Sequence, residues 1–330
     1  MSALLLCMIC ANAGAAPVRI AGVSHLGDLP TFVAAERGLF TRAGIEARVS
    51  RVPNGRLALE RLRAGTADFA LMALTPLVLD RLADDTPNGP EDPVILASIV
   101  QSAHLNQIAT LDDRGIREPA DLAGRRLGLT RGTNAEFHWW LFARFHGIDP
   151  AAVEIVDLEK NALGDALEAG RVDTAVLWQP WTARLRASVG NRLHTFEHGA
   201  LYDAHWVLAT RRATAEDRPR LCADIIRAYA DADAAIAREP AAVLERFYTA
   251  LGLGDAMPQP AGYPYGFNVE LGWSVLVGLG QQFDWAATTG RGDTTLRPSI
   301  LAMMAPGPLR RAAPGAVNVA ADLLDAGGTP

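Results

Sequence analysis

The chain has 330 residues, 49% hydrophobic and 21% charged, a composition typical of globular proteins and long enough for about two domains. Its net charge of -6 provides no basic surface for nucleic acid or anionic lipid. Two of its three cysteines, Cys7 and Cys10, lie in an N-terminal segment that has the pattern of a secretion signal. A mature chain would keep only Cys222, so no intrachain disulfide is expected.

The first residues predict a cleaved signal. Ala3–Ala11 is an apolar run too short to span a bilayer, and the small residues Ala13–Ala16 follow it. We therefore predict a signal peptide over residues 1–16 and a periplasmic location. The basic residues that normally precede such a run are missing, which indicates a truncated start. A buried N-terminal strand or helix is the alternative, while the bulky Ile9 disfavours a lipid anchor at Cys10.

The first third of the chain predicts strands that alternate with helices. In order, we predict a strand over Val18–Val23, a loop over Ser24–Asp28, a helix from Pro30 to about Gly38, a strand over Glu46–Val52, a turn over Pro53–Gly55, a helix over Arg56–Ala64, a strand over Phe69–Met72, a helix from Pro76 and a strand over Val94–Val100. Each strand is thus followed by a loop that leads into a helix or a turn.

The same alternation then starts again. We predict a strand over Arg126–Thr130, a loop over Arg131–Asn134, a helix over Ala135–Phe145, a strand over Glu154–Asp157, a helix over Asn161–Ala169 and a strand over Thr174–Leu177. The segments Ala64–Pro76 and Ala169–Trp181 are equivalent in this repeat, and their Asp68 and Asp173 stand 105 residues apart. The duplication predicts two α/β lobes, each with a parallel sheet built from right-handed βαβ units.

The remainder, from about Val207, is predicted to be mostly helical. Helical spacing of apolar residues indicates helices over Pro219–Glu239, Ala241–Leu251 and Val269–Trp285. Residues 307–330 are rich in Ala, Gly and Pro and are predicted to form a flexible tail.

Ligands of open parallel sheets sit beyond the carboxyl ends of the strands, where loops of two facing lobes would converge. We therefore predict a cleft between the lobes that closes around a small molecule. The candidate ligand-binding residues on or beside these loops are Ser24, His25, Asp28, Asn54, Thr75, Gly132, Thr133, Asn134, Glu136, Trp178 and Gln179. Asp203 is a further candidate, near the return of the chain to the first lobe, where a hinge would lie.

The segment Arg131–Asn134 is the best candidate for binding an anion. Its glycine lets the backbone come close, and the helix that follows presents free N–H groups. An ordinary helix cap by Thr133 or Asn134 is the alternative, and capping and binding are compatible. A Glu136 that faces the cleft would repel a strong anion and would favour a ligand with an amine. Trp178 would stack on the ligand or pack between the lobes.

The sequence shows no motif of catalysis or metal binding. The histidines lack HExxH or related spacing, and GxSxG and Walker A patterns are absent. The only CxxC pattern, Cys7–Cys10, lies in the signal segment. A protein that is not an enzyme and needs no cofactor or metal is therefore expected.

Six short motifs occur in a fixed order between about Val18 and Arg211. They are Glu36-Arg-Gly-Leu-Phe40, Ala43-Gly-Ile45, Ala64-Gly-x-x-Asp68, Asp121-Leu-Ala-Gly-Arg-Arg-Leu-Gly-Leu129, Gly132-Thr133 and Trp178-Gln-Pro-Trp181. The ordered set resembles the nitrate/sulfonate/taurine-type solute-binding proteins of ABC importers. That family is similar to a group that also holds binders of thiamine-pyrimidine precursors.

The resemblance implies a type II periplasmic-binding-protein fold, α/β in class, with two lobes around a ligand cleft. Residues 17–103 plus 205–330 would form lobe 1, and residues 104–204 would form lobe 2. In such proteins the loop that matches Gly132-Thr133 commonly holds the anionic group of the ligand. The resemblance also implies an ABC permease and an ATPase as partners, and we expect a monomer.

The leading hypothesis is an extracytoplasmic protein that captures a small polar organic solute and delivers it to an ABC importer. The solute would be sulfonate- or taurine-like, or a nitrogen-containing precursor. One alternative is a lyase-type or pyrimidine-precursor enzyme on the same two-lobe fold, which a cytoplasmic location would favour. The other is a periplasmic ligand-sensing module, which a neighbouring histidine kinase gene would favour.

Overall fold

The computed structural model describes residues 16–83, 88–104, 106–196, 201–254, 265–292 and 300–319, so the predicted signal lies almost wholly outside the described residues. The strands are β1 (Val18–Val23), β2 (Ala47–Val52), β3 (Phe69–Ala73), β4 (Pro93–Ser102), β5 (Asn106–Leu111), β6 (Arg126–Leu129), β7 (Glu154–Asp157), β8 (Thr174–Trp178), β9 (Leu193–Thr195), β10 (Ala204–Arg211) and β11 (Gly266–Glu270). The helices are α1 (Leu29–Glu36), α2 (Leu39–Arg42), α3 (Gly55–Arg63), α4 (Leu74–Leu82), α5 (Asn134–Phe145), α6 (Lys160–Glu168), α7 (Trp181–Val189), α8 (Arg212–Asp217), α9 (Pro219–Arg238), α10 (Pro240–Ala250), α11 (Trp273–Thr288) and α12 (Pro306–Ala312).

The strands form two sheets, and we name the lobes after them. Lobe 1 surrounds a six-stranded sheet of order β11-β4-β10-β3-β1-β2, and lobe 2 surrounds a five-stranded sheet of order β7-β6-β8-β5-β9. The chain passes from lobe 1 to lobe 2 between β4 and β5, and it returns between β9 and β10. The two lobes are thus joined by two crossovers.

Both sheets are mixed, whereas the duplication predicted purely parallel ones. The repeated units are parallel: β1 pairs with β2 and β3, and β6 pairs with β7 and β8. The first strand after each crossover runs the other way, because it enters its sheet from the opposite end. Thus β5 is antiparallel to β8, and β10 is antiparallel to β3 and β4.

Helix α9 is the main helix that covers lobe 1. A proline in its first turn suits a helix start, and apolar residues recur three and four positions apart. The resulting face buries Cys222, Ile225, Tyr229 and Ile236, none more than 3% exposed. Cys222 is a buried free thiol, as the sequence indicated.

The described part of the C-terminal third contains a strand that helical periodicity did not predict. Residues Gly266–Glu270 form β11 beside β4, so the helix predicted from Val269 begins instead at Trp273. Residues 306–319 also pack on lobe 1, where Leu309 is fully buried and Val317 bridges to Leu271. The tail predicted over 307–330 is therefore ordered and packed up to residue 319, and the rest lies outside the described residues. Within the described ranges, no helix is long and apolar enough to cross a bilayer.

Candidate functional site

Residues from both lobes line one small space at the carboxyl ends of the repeated strands. Lobe 1 contributes His25, Asn54, Gly55, Ala73, Pro76 and Trp206, and lobe 2 contributes Thr133, Asn134 and Trp178. The volume is about 10 Å³, roughly what one water molecule needs. An organic molecule can therefore enter this cleft only if the surrounding side chains or the lobes move apart.

Five of the twelve predicted site residues line this cleft: His25, Asn54, Thr133, Asn134 and Trp178. The other seven lie beside it, and their placement is described below. Contact of any of the twelve with a ligand stays a prediction. Prediction from sequence missed Trp206, whose ring lines the cleft from β10. Gly55, Ala73 and Pro76 also line it; they lie in a turn and a loop that were expected at this end, but they were not among the twelve candidates.

His25 is held by its own loop. Its Nδ1 accepts a hydrogen bond from the backbone N–H of Gly27 at 3.0 Å, so the proton of a neutral ring lies on Nε2. Burial lowers the pKa of His25 well below its usual value, and the nearby charge of Lys160 lowers it further. The ring meets Trp206 edge to face, with centroids 4.2 Å apart, and Trp178 at 6.2 Å. His25 is therefore a neutral wall of the cleft.

Helix starts bring polar side chains to the cleft from each lobe. Asn54 caps α3, accepting from the N–H of Leu57 at 3.1 Å, and its Nδ2 donates to Glu159 of lobe 2, outside the lining, at 3.5 Å. Thr133 caps α5, accepting from the N–H of Ala135 at 3.3 Å. The positive ends of both helix dipoles thus point towards the cleft.

Two side-chain N–H groups of lining residues have no hydrogen-bond partner among the described residues. They are Trp178 Nε1 and Trp206 Nε1, and each residue is at most 5% exposed. The side-chain amide of Asn134, a third lining residue, hydrogen-bonds to the hydroxyl of Tyr202. A buried donor without a partner costs about 1–3 kcal/mol. Because both groups are donors, a ligand with acceptor atoms would satisfy them.

The cleft lining contains no carboxylate, lysine or arginine. His25 is its only titratable residue, and burial keeps that residue neutral. Among the described residues, no group of three or more His, Cys, Asp or Glu could hold a metal ion. The lining can therefore hydrogen-bond and stack, but it offers no charged acid–base pair.

Asp28 and Thr75 lie under the cleft surface and are bound to other protein groups. Asp28 is 3% exposed, and it accepts hydrogen bonds from the N–H of Val23 at 2.7 Å and from the hydroxyl of Thr31. Thr75 is fully buried and donates to Gln282 Oε1 at 2.6 Å. Both side chains hold the walls of lobe 1 in place.

Glu136 is bound by cationic and backbone groups that lie outside the cleft lining. Its carboxylate accepts from the N–H of Gly132 at 2.7 Å, from Arg131 at 3.2 Å and from both terminal nitrogens of Arg291 at 2.8 and 2.5 Å. Gly132 has φ of 71°, and a Cβ there would lie 2.8 Å from Arg56 Cδ, so this turn favours glycine. Neither Gly132 nor Glu136 lines the cleft.

Ser24 and Gln179 join the lobes through hydrogen bonds. The carbonyl of Ser24 accepts from Lys160 Nζ at 3.4 Å, and the carbonyl of Gln179 accepts from the N–H of Leu26 at 3.2 Å. Gln179 Oε1 also accepts from the hydroxyl of Tyr248 at 3.4 Å. Asp203 is exposed at the second crossover, outside the lining.

Two facing α/β lobes, two crossovers and a closed cleft define the class of protein, and solved structures share this architecture. The TM-score is 0.69 to the periplasmic aliphatic sulphonate binding protein SsuA from Escherichia coli, which is 18% identical, with 85% of this chain and 91% of that chain covered. It is 0.68 to the alkanesulfonate-binding protein SsuA from Xanthomonas axonopodis bound to MOPS, 19% identical, with 92% and 99% covered. The fold is that of periplasmic binding proteins.

An enzyme also shares this fold. The TM-score to the desulfurization enzyme DSZB is 0.62 at 17% identity, with 91% of this chain and 99% of that chain covered. At such identities a structural likeness shows the fold alone. The fold therefore does not separate a binding protein from an enzyme.

The chain belongs to the NMT1/THI5-like family, whose family model matches residues 27–243. A relative in Brucella abortus (strain 2308), named "Putative binding protein", is 24% identical over 174 residues. The match covers 52% of this chain and 51% of that protein, so the chain spans about half the length of the curated relatives it matches.

Proposed function

We propose that this protein is an extracytoplasmic solute-binding protein that captures a small organic oxyanion of the sulfonate class and delivers it to an ABC importer. The observation behind the proposal is the pair of buried, unpaired N–H donors at Trp178 and Trp206. The two donors come from different lobes, so one ligand would satisfy both only when the cleft is closed. In this proposal residues 17–103 plus 205–330 and residues 104–204 move as the two lobes.

The electrostatics of the cleft support an anion. The N-terminus of α5, which presents Thr133 and Asn134, favours negative charge, and backbone and side-chain N–H groups bind oxyanions without a cationic residue. The sequence had raised Glu136 as an objection to a sulfonate. That objection is weakened because its carboxylate is bound by Arg291 and Arg131 rather than lining the cleft.

Binding without catalysis is the simpler function for this lining. General acid–base catalysis needs a titratable group poised near the operating pH and within reach of the substrate. His25, the one titratable lining residue, has a pKa well below its usual value. The names of the Escherichia coli and Xanthomonas structures, which refer to sulfonate binding, point to the same ligand class.

Isothermal titration of the mature chain with taurine, ethanesulfonate and MOPS tests the proposal. We expect one ligand per chain and a rise of the unfolding temperature upon binding. A pyrimidine and nitrate complete the panel. Tight binding of the pyrimidine alone would replace the sulfonate class with a nitrogen-containing ring, which the two indoles could also stack on.

Turnover of any bound compound, followed by mass spectrometry, would contradict a binding function and would favour the enzyme hypothesis. Delivery to an importer requires export and a transporter. N-terminal sequencing of the protein from its native host should show a processed chain in the periplasm. Deletion of the gene should abolish uptake of the ligand at low concentration, and an unchanged uptake would contradict the transport role.

A further inference from the structure

An ion pair between the lobes lies at the end of α5 that the proposed ligand would approach. Glu136 is in the first turn of α5 in lobe 2, and Arg291 follows α11 in lobe 1. The two terminal nitrogens of Arg291 bind the two carboxylate oxygens of Glu136 at 2.8 and 2.5 Å. This two-pronged geometry is the strongest form of an arginine–carboxylate contact.

The carboxylate of Glu136 is buried, so the cation that pairs with it determines how much negative charge acts on the cleft. The side chain of Glu136 is 7% exposed, whereas that of Arg291 is 31% exposed. Near the same helix end, Phe137 packs against Trp285 of α11 with ring centroids 5.7 Å apart. A buried carboxylate is poorly screened by water, so its field would extend into the neighbouring cleft if no cation neutralised it.

Asn134 lies two positions before Glu136 and lines the cleft at the N-terminal end of α5. Two opposite effects therefore meet at one helix end. The helix dipole attracts an anion, and the carboxylate of Glu136 repels it. Arg131 neutralises part of that charge through a single contact, but its side chain is 45% exposed.

We propose that Arg291 is a specificity-determining residue that acts through Glu136: by neutralising that carboxylate from the opposite lobe, it makes the N-terminal end of α5 acceptable to an anionic ligand. This inference rests on the proposed function, because it assumes an oxyanion in the cleft. Because Arg291 and Glu136 belong to different lobes, this neutralisation requires the closed cleft. Closure would therefore favour an anionic ligand. Arg291 itself does not line the cleft.

A purely structural role would have a different signature. Thr133 is the N-cap of α5, and Glu136 is its third helical residue. A glutamate at that third position often accepts a hydrogen bond from the backbone at the helix start. The bond that Glu136 accepts from the N–H of Gly132 fits this capping role. Loss of a helix cap would destabilise the protein whatever the charge of the ligand. Selective loss of affinity for an anion would not follow from it.

The test uses ethanesulfonate and its uncharged near-isostere, ethyl methyl sulfone, as probes in calorimetric titrations of the full chain. Arg291→Met should weaken ethanesulfonate binding on the order of tenfold and leave the sulfone unaffected. The double variant Glu136→Gln/Arg291→Met should return ethanesulfonate affinity to within roughly threefold of the wild type. Arg227→Met, which breaks a surface pair with Asp224 on α9, is the matched control.

Equal weakening of both probes, or failure of the folded double variant to recover, would overturn the inference while the proposed function stands. Unchanged ethanesulfonate affinity in Arg291→Met would also overturn it. If the wild type binds no sulfonate, the proposed ligand class fails and the inference fails with it. Circular dichroism and thermal unfolding of each variant establish that it is folded.

Discussion

Asp68 and Asp173 hold an arginine of the neighbouring strand in the same way in the two lobes. Asp68 accepts from the backbone N–H of Arg19 at 2.8 Å, and Asp173 accepts from that of Arg126 at 2.9 Å. Each carboxylate also receives two guanidinium bonds from the same arginine, at 3.1 and 2.7 Å in lobe 1 and at 3.1 and 2.9 Å in lobe 2. In each lobe this pair joins the turn before one strand to the beginning of its parallel neighbour.

Substitution of either aspartate should destabilise its own lobe by a similar amount. Asp68→Asn and Asp173→Asn each lose charge-assisted bonds, which we expect to cost about 1–3 kcal/mol of unfolding free energy. Urea unfolding at neutral pH measures the loss, and hydrogen exchange followed by mass spectrometry shows which lobe opens. Asp112→Asn, at an exposed site, is the control. A variant that loosens the opposite lobe would contradict independent packing of the two units.

Stability should also depend on pH through these two groups. Burial alone would raise the pKa of Asp68, but the bonds from Arg19 together outweigh burial and lower it. Bonds from Arg126 lower the pKa of Asp173. A lowered carboxyl pKa stabilises the folded state above the unfolded pKa of about 4. That stabilisation is lost as the pH falls through the folded values. The two Asn variants should therefore lose less stability than the wild type on acidification.

Asp233 should produce the opposite pH dependence. Burial raises the pKa of Asp233 to about 8, because its effect exceeds that of a backbone hydrogen bond from Val269, which lowers the pKa. Burial also raises the pKa of Asp28 to about 7. A raised carboxyl pKa contributes stability that is complete below about pH 4 and is lost as the pH rises through the folded value. Asp233→Asn should therefore be more stable than the wild type above pH 8, and its unfolding free energy should vary less between pH 5 and 9.

The control for this substitution lies two residues earlier on the same helix. Asp231 is exposed on α9, so Asp231→Asn should leave the pH profile of unfolding unchanged. Denaturant midpoints measured across the pH range compare the three proteins. An Asp233→Asn profile parallel to that of the wild type would show that the buried carboxyl does not govern alkaline stability.

Local patterns were enough to predict the repeated half of the fold. Strand, loop and helix recur with equivalent aspartates, and the structure places Asp68 and Asp173 in matching contacts. Because parallel strands end at one edge, the same pattern located His25, Thr133 and Trp178 beside a single cleft. These features depend on residues near one another in sequence.

Local sequence patterns did not predict contacts between residues that are distant in sequence. Trp206 lines the cleft because β10 returns across a crossover and pairs with β3, and its partner in register is Ala73. Thr75 looked free to bind a ligand, yet its hydroxyl is bound to Gln282, 207 residues away. Periodicity does not show which sheet a strand joins or which side chain meets a loop.

Lys160 should report opening of the cleft through its reactivity. It is the only lysine of the chain, it is 5% exposed, and its Nζ contacts the carbonyl of Ser24 across the lobes at 3.4 Å. Burial lowers its pKa to about 8, so near that pH a large fraction of the amine is unprotonated, and access limits acylation. We expect slow labelling by an N-hydroxysuccinimide ester, and slower labelling when ethanesulfonate is bound.

Peptide mass spectrometry measures this labelling, with the chain's α-amino group as the internal reference. The ligand should lower the rate at Lys160 and leave the reference rate unchanged. If Lys160 were labelled as fast as the reference, with or without ligand, its contact with Ser24 would not report closure.

Removing one indole N–H should weaken ligand binding without weakening the fold. Trp178→Phe and Trp206→Phe keep an aromatic ring in the cleft but remove a buried donor that has no partner among the described residues. Ethanesulfonate affinity should fall roughly tenfold in each variant, the effect of one hydrogen bond to a charged group. Unfolding free energy without ligand should stay the same or rise, since an unsatisfied polar group is lost from the interior. Calorimetric titration and urea unfolding measure the two quantities.

Opposite signs in the two measurements separate a ligand-binding tryptophan from one that only packs. If a tryptophan only packs, its replacement by phenylalanine leaves a cavity and lowers the unfolding free energy. Affinity for the ligand then changes little, or only through the loss of folded protein. Trp273→Phe, at a ring that is 53% exposed on α11, should change neither quantity. If Trp178→Phe and Trp206→Phe lost stability and kept full affinity, the two indoles would be packing groups, and the donors proposed to bind the oxyanion would have to be sought elsewhere in the cleft.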